Sequence, residues 1–110
     1  MTRDIQESDW KVLKKLHEVA LNRFCQRALS DIENIVADTL RTPHQRYIAL
    51  YETVQRRDKD LAKVFDNPSR SKAFLQIAAL RSRHLIENEE FLRFSEETRA
   101  LAEMFLEKHV

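Results

Sequence analysis

The chain of 110 residues contains no glycine, where an average usage of about 7% would supply several. Glycine provides positive backbone angles and lets a backbone approach a phosphate closely. Without it, a Walker loop and a dinucleotide-binding fingerprint are excluded, and so are Asn-Gly and Asp-Gly hairpins. One cysteine, Cys25, excludes an intramolecular disulfide and fits a reducing compartment. Met1-Thr2-Arg3-Asp4 leads straight into a charged helical pattern with no apolar signal core. Apolar runs last only a few residues, too short to span a bilayer. These absences together point to the cytoplasm. Glu-x-x-His occurs nowhere, which removes the di-iron carboxylate pattern. His84-x-x-Glu87 is the nearest thing to a ligand pair, and two residues do not make a site. Neither a metal nor a cofactor is expected.

Hydrophobic residues make up 43% and charged residues 34% of the chain, a globular mix dominated by helix formers. Residues 1–110 read as a single helical domain, large enough to bury roughly 60–70% of its unfolded surface.

Two prolines mark helix starts. The first helix begins between Asp4 and Asp9, with Asp4 and Glu7 at capping-box spacing and Ser8 as a rival cap. Nothing breaks it before Arg41-Thr42-Pro43. The second opens with Thr42 as cap, Pro43 in the first turn and Gln45 completing the box. It carries Tyr47, Leu50, Tyr51, Val54, Leu61 and Phe65 at helical spacing. Asn67 and Pro68 repeat the start signal for a third helix bearing Phe74, Ile77, Ala78, Leu80 and Leu85. A short helix or turn is expected around Asn88–Phe94. Ser95 then caps a last helix, with Leu101, Met104 and Phe105 facing inward. The short connections predict an all-α fold, an antiparallel bundle of about four helices with a long N-terminal helix.

In the first helix, Val12, Leu13, Leu16, Val19 and Ala20 centre on one direction. Phe24, Cys25, Leu29, Ile32, Ile35 and Val36 centre roughly 120° away. The two halves therefore face different partners, or the helix bends near Leu21–Cys25. A protruding helix with an apolar face of its own is commonly covered by a second copy, so a homodimer is expected.

Charge is unevenly laid out. Residues 1–40 carry a net of −1, residues 41–84 a net of +6 and residues 85–110 a net of −4. Arg41, Arg46, Arg56, Arg57, Lys59, Lys63, Arg70, Lys72 and Arg83 could form a basic surface for nucleic acid. Against this, the sequence pI is only 7.9, the basic residues are interleaved with Asp58 and Asp60, and no helix-turn-helix with a glycine turn is present. An acidic C-terminal segment lying on the basic middle accounts for the same pattern.

Asp58 lies on the apolar line of the second helix and Arg81 on that of the third. Since a buried charge is costly unless paired, an Asp58–Arg81 ion pair is expected; the functional alternative is a polar pocket that holds an anion through Arg81. His17, between Leu13 and Leu21, reads as a hydrogen-bonded core or interface residue. Cys25 reads as buried filler, since a reactive thiol needs an electropositive, partly exposed setting. Trp10, Phe91, Leu92 and Phe94 form a candidate partner or dimer surface, because three large apolar side chains in one short segment are hard to bury on one side. No catalytic constellation emerges. The sequence points to a non-enzymatic interaction or regulatory protein. The alternatives are a nucleic-acid-binding accessory protein and a small-ligand bundle with Arg81, Asp58 and His84 lining a pocket.

Overall fold

A long first helix and a second helix laid along it form the spine of the molecule, and the rest of the chain packs against one end. The structure, a computed structural model, describes residues 4–66 and 68–109, with side chains to residue 106. The described residues are helical and contain no strand. In order they form α1 (Glu7–Ala37), α2 (Pro43–Phe65), a 3-10 turn (Arg70–Lys72), α3 (Ala73–Ser82), the single turn α4 (Asn88–Phe91) and α5 (Glu96–His109). None is long and apolar enough to cross a membrane.

Local chemistry accounts for most of the boundaries. At the start of α2 the Thr42 hydroxyl accepts the Gln45 N–H (3.1 Å) and the Gln45 side chain accepts the Thr42 N–H (2.9 Å). Pro43 occupies the first turn, where no N–H is needed. By contrast, α1 starts after Gln6 with no side-chain cap. The expected Asp4–Glu7 box does not form: with Gln6 at the N-cap, Glu7 is the first helical residue rather than the third, and its carboxylate pairs with Arg70 at 2.6 Å. It also ends at Ala37, before the Arg41-Thr42-Pro43 stop. Pro68 does not open α3. It lies in an irregular stretch leading to extended Ser69 and the 3-10 turn, so α3 begins five residues later, at Ala73. The expected cap Asn67 lies outside the described residues.

α3 ends in a Schellman turn. The His84 N–H reaches the Arg81 carbonyl (3.0 Å), and the Leu85 N–H reaches back to Leu80 (2.9 Å). This motif needs a left-handed residue, usually glycine, and here His84 takes it at φ 56°. Arg27 of α1 holds the turn from outside by donating to the Arg83 carbonyl (2.8 Å) and to that of His84.

α1 is one uninterrupted helix of 31 residues whose two halves serve different neighbours. In its first half Leu13, Leu16 and Ala20 enter the core with Ile77 and Leu80 of α3, Leu85, Phe91, Phe94 and Ala102 of α5. In its second half Phe24 and Asp31 turn to α2, where Phe24 meets Phe65 edge-on and Asp31 pairs with Arg57. Near the turn, Arg46 of α2 donates to the Val36 carbonyl (2.6 Å). α1 and α2 are therefore in register as a hairpin. The core occupies only its base, and the hairpin stretches the molecule to 56 × 26 × 22 Å.

Candidate interaction surface

Beyond the base, the hairpin continues as an arm with no core of its own: from Cys25 to Glu52 no residue is buried. One face of this arm is nevertheless apolar. On α1 it carries Cys25, Leu29, Ile32 and Val36, spaced by four, three and four residues. On α2 it carries Tyr47 and Tyr51 and runs on toward the base through Val54, Asp58 and Leu61, spaced by four, three, four and three; at that end Cys25 and Leu61 pack against the core. The α2 run repeats every 3.5 residues on average, the spacing of a coiled-coil seam that faces a partner helix, and the shorter α1 run about every 3.7. Tyr47 is 70% exposed, Tyr51 56%, Leu29 53% and Val36 52%.

The two seams share one side of the hairpin. Cys25, Leu29 and Ile32 line a groove of about 250 Å³ together with Val54, Asp58 and Leu61. This side is turned away from α3–α5. Arg23 and Arg27, which contact Leu85, Glu90 and the α3 turn, point about 170° from the Cys25–Val36 seam at 100° per residue. In the groove wall, the Arg57 guanidinium is held by Asp31 and stacks over the Phe24 ring at 5.7 Å. Asp58, on the rim, has neither hydrogen bond nor ion pair among the described residues.

The expected Asp58–Arg81 ion pair does not form. Its premise was that the Tyr47–Leu61 line of α2 is buried, whereas the buried line of α2 runs through Thr53 and Val64 and leaves Asp58 on the flank. Arg81 instead lies over the Phe91 ring at 4.2 Å and donates to Asn88 (3.1 Å). The proposed aromatic surface is largely core as well. Phe91 and Phe94 are buried and meet edge-on at 6.3 Å, and Trp10 is half-covered by Arg70; of the four residues only Leu92 is exposed. Met104, expected inside, is also exposed.

The basic residues of 41–84 are scattered and mostly engaged. Arg41 pairs with Asp38 (3.3 Å), Arg57 with Asp31, Arg70 with Glu7 and Arg83 with Asp60 (3.3 Å). Arg46 is turned to the Val36 carbonyl. Arg56, Lys59, Lys63 and Lys72 are exposed. A second cavity of about 510 Å³ opens between α2, α3 and α5 beside Lys63 and Arg83, away from Asp58 and His84. His17 bonds the Phe65 carbonyl (3.2 Å) and meets that ring edge-on. Cys25 is half-buried in the groove wall rather than buried.

Two polar clusters escaped the sequence reading. Asp9 is buried on the α1 core line, four residues before Leu13. Its carboxylate accepts the Ser95 N–H (2.8 Å), the Ser95 hydroxyl (2.6 Å) and the Thr98 hydroxyl (2.7 Å), and so braces the start of α5 from another helix, while the expected cap Ser95 accepts the Thr98 N–H (3.3 Å). Burial pushes this carboxyl up, but the bonds from Ser95 and Thr98 outweigh it and hold the group below its ordinary range. Arg23 forms two bonds to buried Glu90 (2.5 and 3.1 Å) and one to the Leu85 carbonyl (3.0 Å). That guanidinium, more than the Glu87 N–H, holds Glu90 low against its burial. Both clusters join the hairpin base to the second layer, which identifies them as structural. No protein-family model, curated protein or solved structure matches the chain.

Proposed function

We propose that this chain is a non-enzymatic interaction protein that works as a cytoplasmic homodimer through the apolar face of its α1–α2 arm. One observation carries the reading. From Cys25 to Glu52 the chain keeps two long helices with no buried residue, yet places an apolar seam on the same side of both. Helices in proteins owe most of their stability to burying an apolar face, and a solvated spacer would need no such seam. A second copy laid on this face turns two hairpins into a four-helix contact that covers the seams of both.

The test is solution mass by sedimentation equilibrium at 50 and 500 mM salt. A mass twice the 13.1 kDa of the chain at both salts is the expected result, since an apolar contact is insensitive to screening. A monomer at tens of micromolar refutes the reading. A dimer that dissociates at high salt refutes the apolar contact and moves attention to the basic residues.

A further inference from the structure

Resting on the homodimer reading, we infer that the two copies pack tip to base about a two-fold axis, each placing Tyr47 in the groove of the other with its hydroxyl on Asp58. The first ground is the seam itself. On α2 it reads His44, Tyr47, Tyr51, Val54, Asp58 and Leu61, and an axis midway between Tyr51 and Val54 maps this row onto itself. Tyr51 then faces Val54 of the other copy, Tyr47 faces Asp58, and His44 faces Leu61. Large residues thus alternate with small or polar ones across the contact.

Polar complementarity selects this register. Asp58 lacks a partner in the single chain and sits among Cys25, Val54 and Leu61, so any partner that covers the face buries its carboxylate. Burial without a donor is costly. The neighbouring guanidinium of Arg57 is turned to Asp31 and the Phe24 ring and makes no bond to Asp58. The side chains on this face with a hydroxyl or ring N–H to offer are Tyr47, Tyr51 and His44, all in the tip half. The Tyr51 hydroxyl accepts a bond from Gln55 (3.1 Å) and keeps its own proton, but about this axis it lies opposite Val54, which leaves Tyr47 as the phenol opposite Asp58. The side-by-side arrangement, with both tips at one end, sets α1 of one copy over α2 of the other. It leaves Asp58 against the Leu29 region with no donor. Tip to base gives it a phenol.

Size agrees as well. The groove of about 250 Å³ suits one aromatic side chain, and Tyr47 is the most exposed aromatic on the seam. A large aromatic anchor seated in a preformed pocket is the usual form of a binding hot spot. Two packed helices about 20 Å wide, overlapping over about 35 Å, bury about 700 Å² on each copy, close to the roughly 800 Å² of a standard stable interface. The second layer lies on the opposite side of each hairpin and leaves the approach open.

The experiment has two arms, both on the full chain. By sedimentation, Tyr47→Ala weakens dimerisation at least about thirty-fold. Tyr47→Phe and Asp58→Asn each weaken it several-fold, and together they weaken it no more than the worse of the two. Because both residues are exposed in the single chain, unchanged far-ultraviolet circular dichroism confirms that folding is intact. In a Cys25→Ser background, oxidation of mixed Tyr47→Cys and Asp58→Cys chains yields chiefly the mixed disulfide, identified by mass spectrometry. A predominance of Tyr47→Cys homodisulfides, or a Tyr47→Ala dimer within three-fold of wild type, overturns the tip-to-base register while leaving the homodimer standing. A monomeric wild-type chain overturns both.

Discussion

Asp9 offers the sharpest check on the energetics of the base. It belongs to the first turn of α1, yet its carboxylate serves α5, where it accepts one backbone N–H and two hydroxyls within 2.8 Å. Removing it in Asp9→Ala leaves the Ser95 N–H and the Ser95 and Thr98 hydroxyls without their acceptor in a buried site, while Ser95 still caps the Thr98 N–H. A hydrogen bond to a charged group is worth about 1.5–3 kcal/mol. The three bonds share one group and do not add, so the expected loss is about 3 kcal/mol. Against the roughly 5–15 kcal/mol of a domain this size, that lowers the melting temperature by roughly 10 °C. Asp9→Asn keeps the shape, removes the charge and points an amide N–H₂ at a site full of donors, for a loss of about 2 kcal/mol. The sign of the pH dependence follows from the lowered carboxyl. The folded group titrates below its ordinary value of 3.8, so its stabilisation is complete above that value and is lost as pH falls through the folded one. Urea unfolding followed by circular dichroism at pH 6.5, 4.5 and 3 should therefore show a wild-type advantage over Asp9→Asn that is constant at the upper two values and shrinks at the lowest. An advantage that is the same at all three, or an Asp9→Ala loss under about 1 kcal/mol, refutes the reasoning.

Two further predictions concern the joint between the layers. His84→Gly should stabilise the fold by about 0.5–1 kcal/mol, since a side chain at φ 56° strains the backbone by more than glycine costs in entropy; urea midpoints decide, and an unchanged or lower midpoint refutes the strain. Arg23→Ala should cost about 2–3 kcal/mol, because it leaves buried Glu90 and the Leu85 carbonyl without their donor. Arg23→Ala combined with Glu90→Gln should recover part of that loss, and a double variant no more stable than the single one contradicts the account.

The elements that were legible in the sequence are those whose chemistry is local. Thr42, Pro43 and Gln45 announce the start of α2 within four residues, and the structure forms the bonds their spacing implies. The offset between the two halves of α1 was also visible, because relative angles along one helix follow from residue number alone. Periodicity does not say which of two apolar stripes meets the rest of the chain. The Tyr47–Leu61 row was therefore read as buried, and Asp58 was assigned a partner that lies elsewhere. Phe91 and Phe94 failed for a related reason. Four residues of helix give no face to measure, and both rings enter the core from a single turn. Asp9 was missed although it stands on the Leu13–Leu16–Ala20 line, because the hydroxyls that explain its burial are more than eighty residues away.

The placement of charge separates the two ends of the molecule. At the base, buried carboxylates are saturated: Asp9 by three donors, Glu90 by Arg23 and the Glu87 N–H. A saturated buried group fixes one arrangement of layers, since any slip leaves it unpaired. On the apolar face of the arm the reverse holds. Its carboxylate is unpaired, its phenols are exposed, and the short polar links between its helices, Arg57–Asp31 and Arg46 to Val36, leave the outer seam untouched. The contrast holds for the carboxylates alone, since Gln76 Oε1 and Arg99 Nε at the base are buried without a hydrogen-bond partner: the acids of the base are saturated, and the acid on the apolar row is left without a donor from its own chain. In the proposed dimer, the missing donor and the matching apolar row both come from a second copy of the same arm.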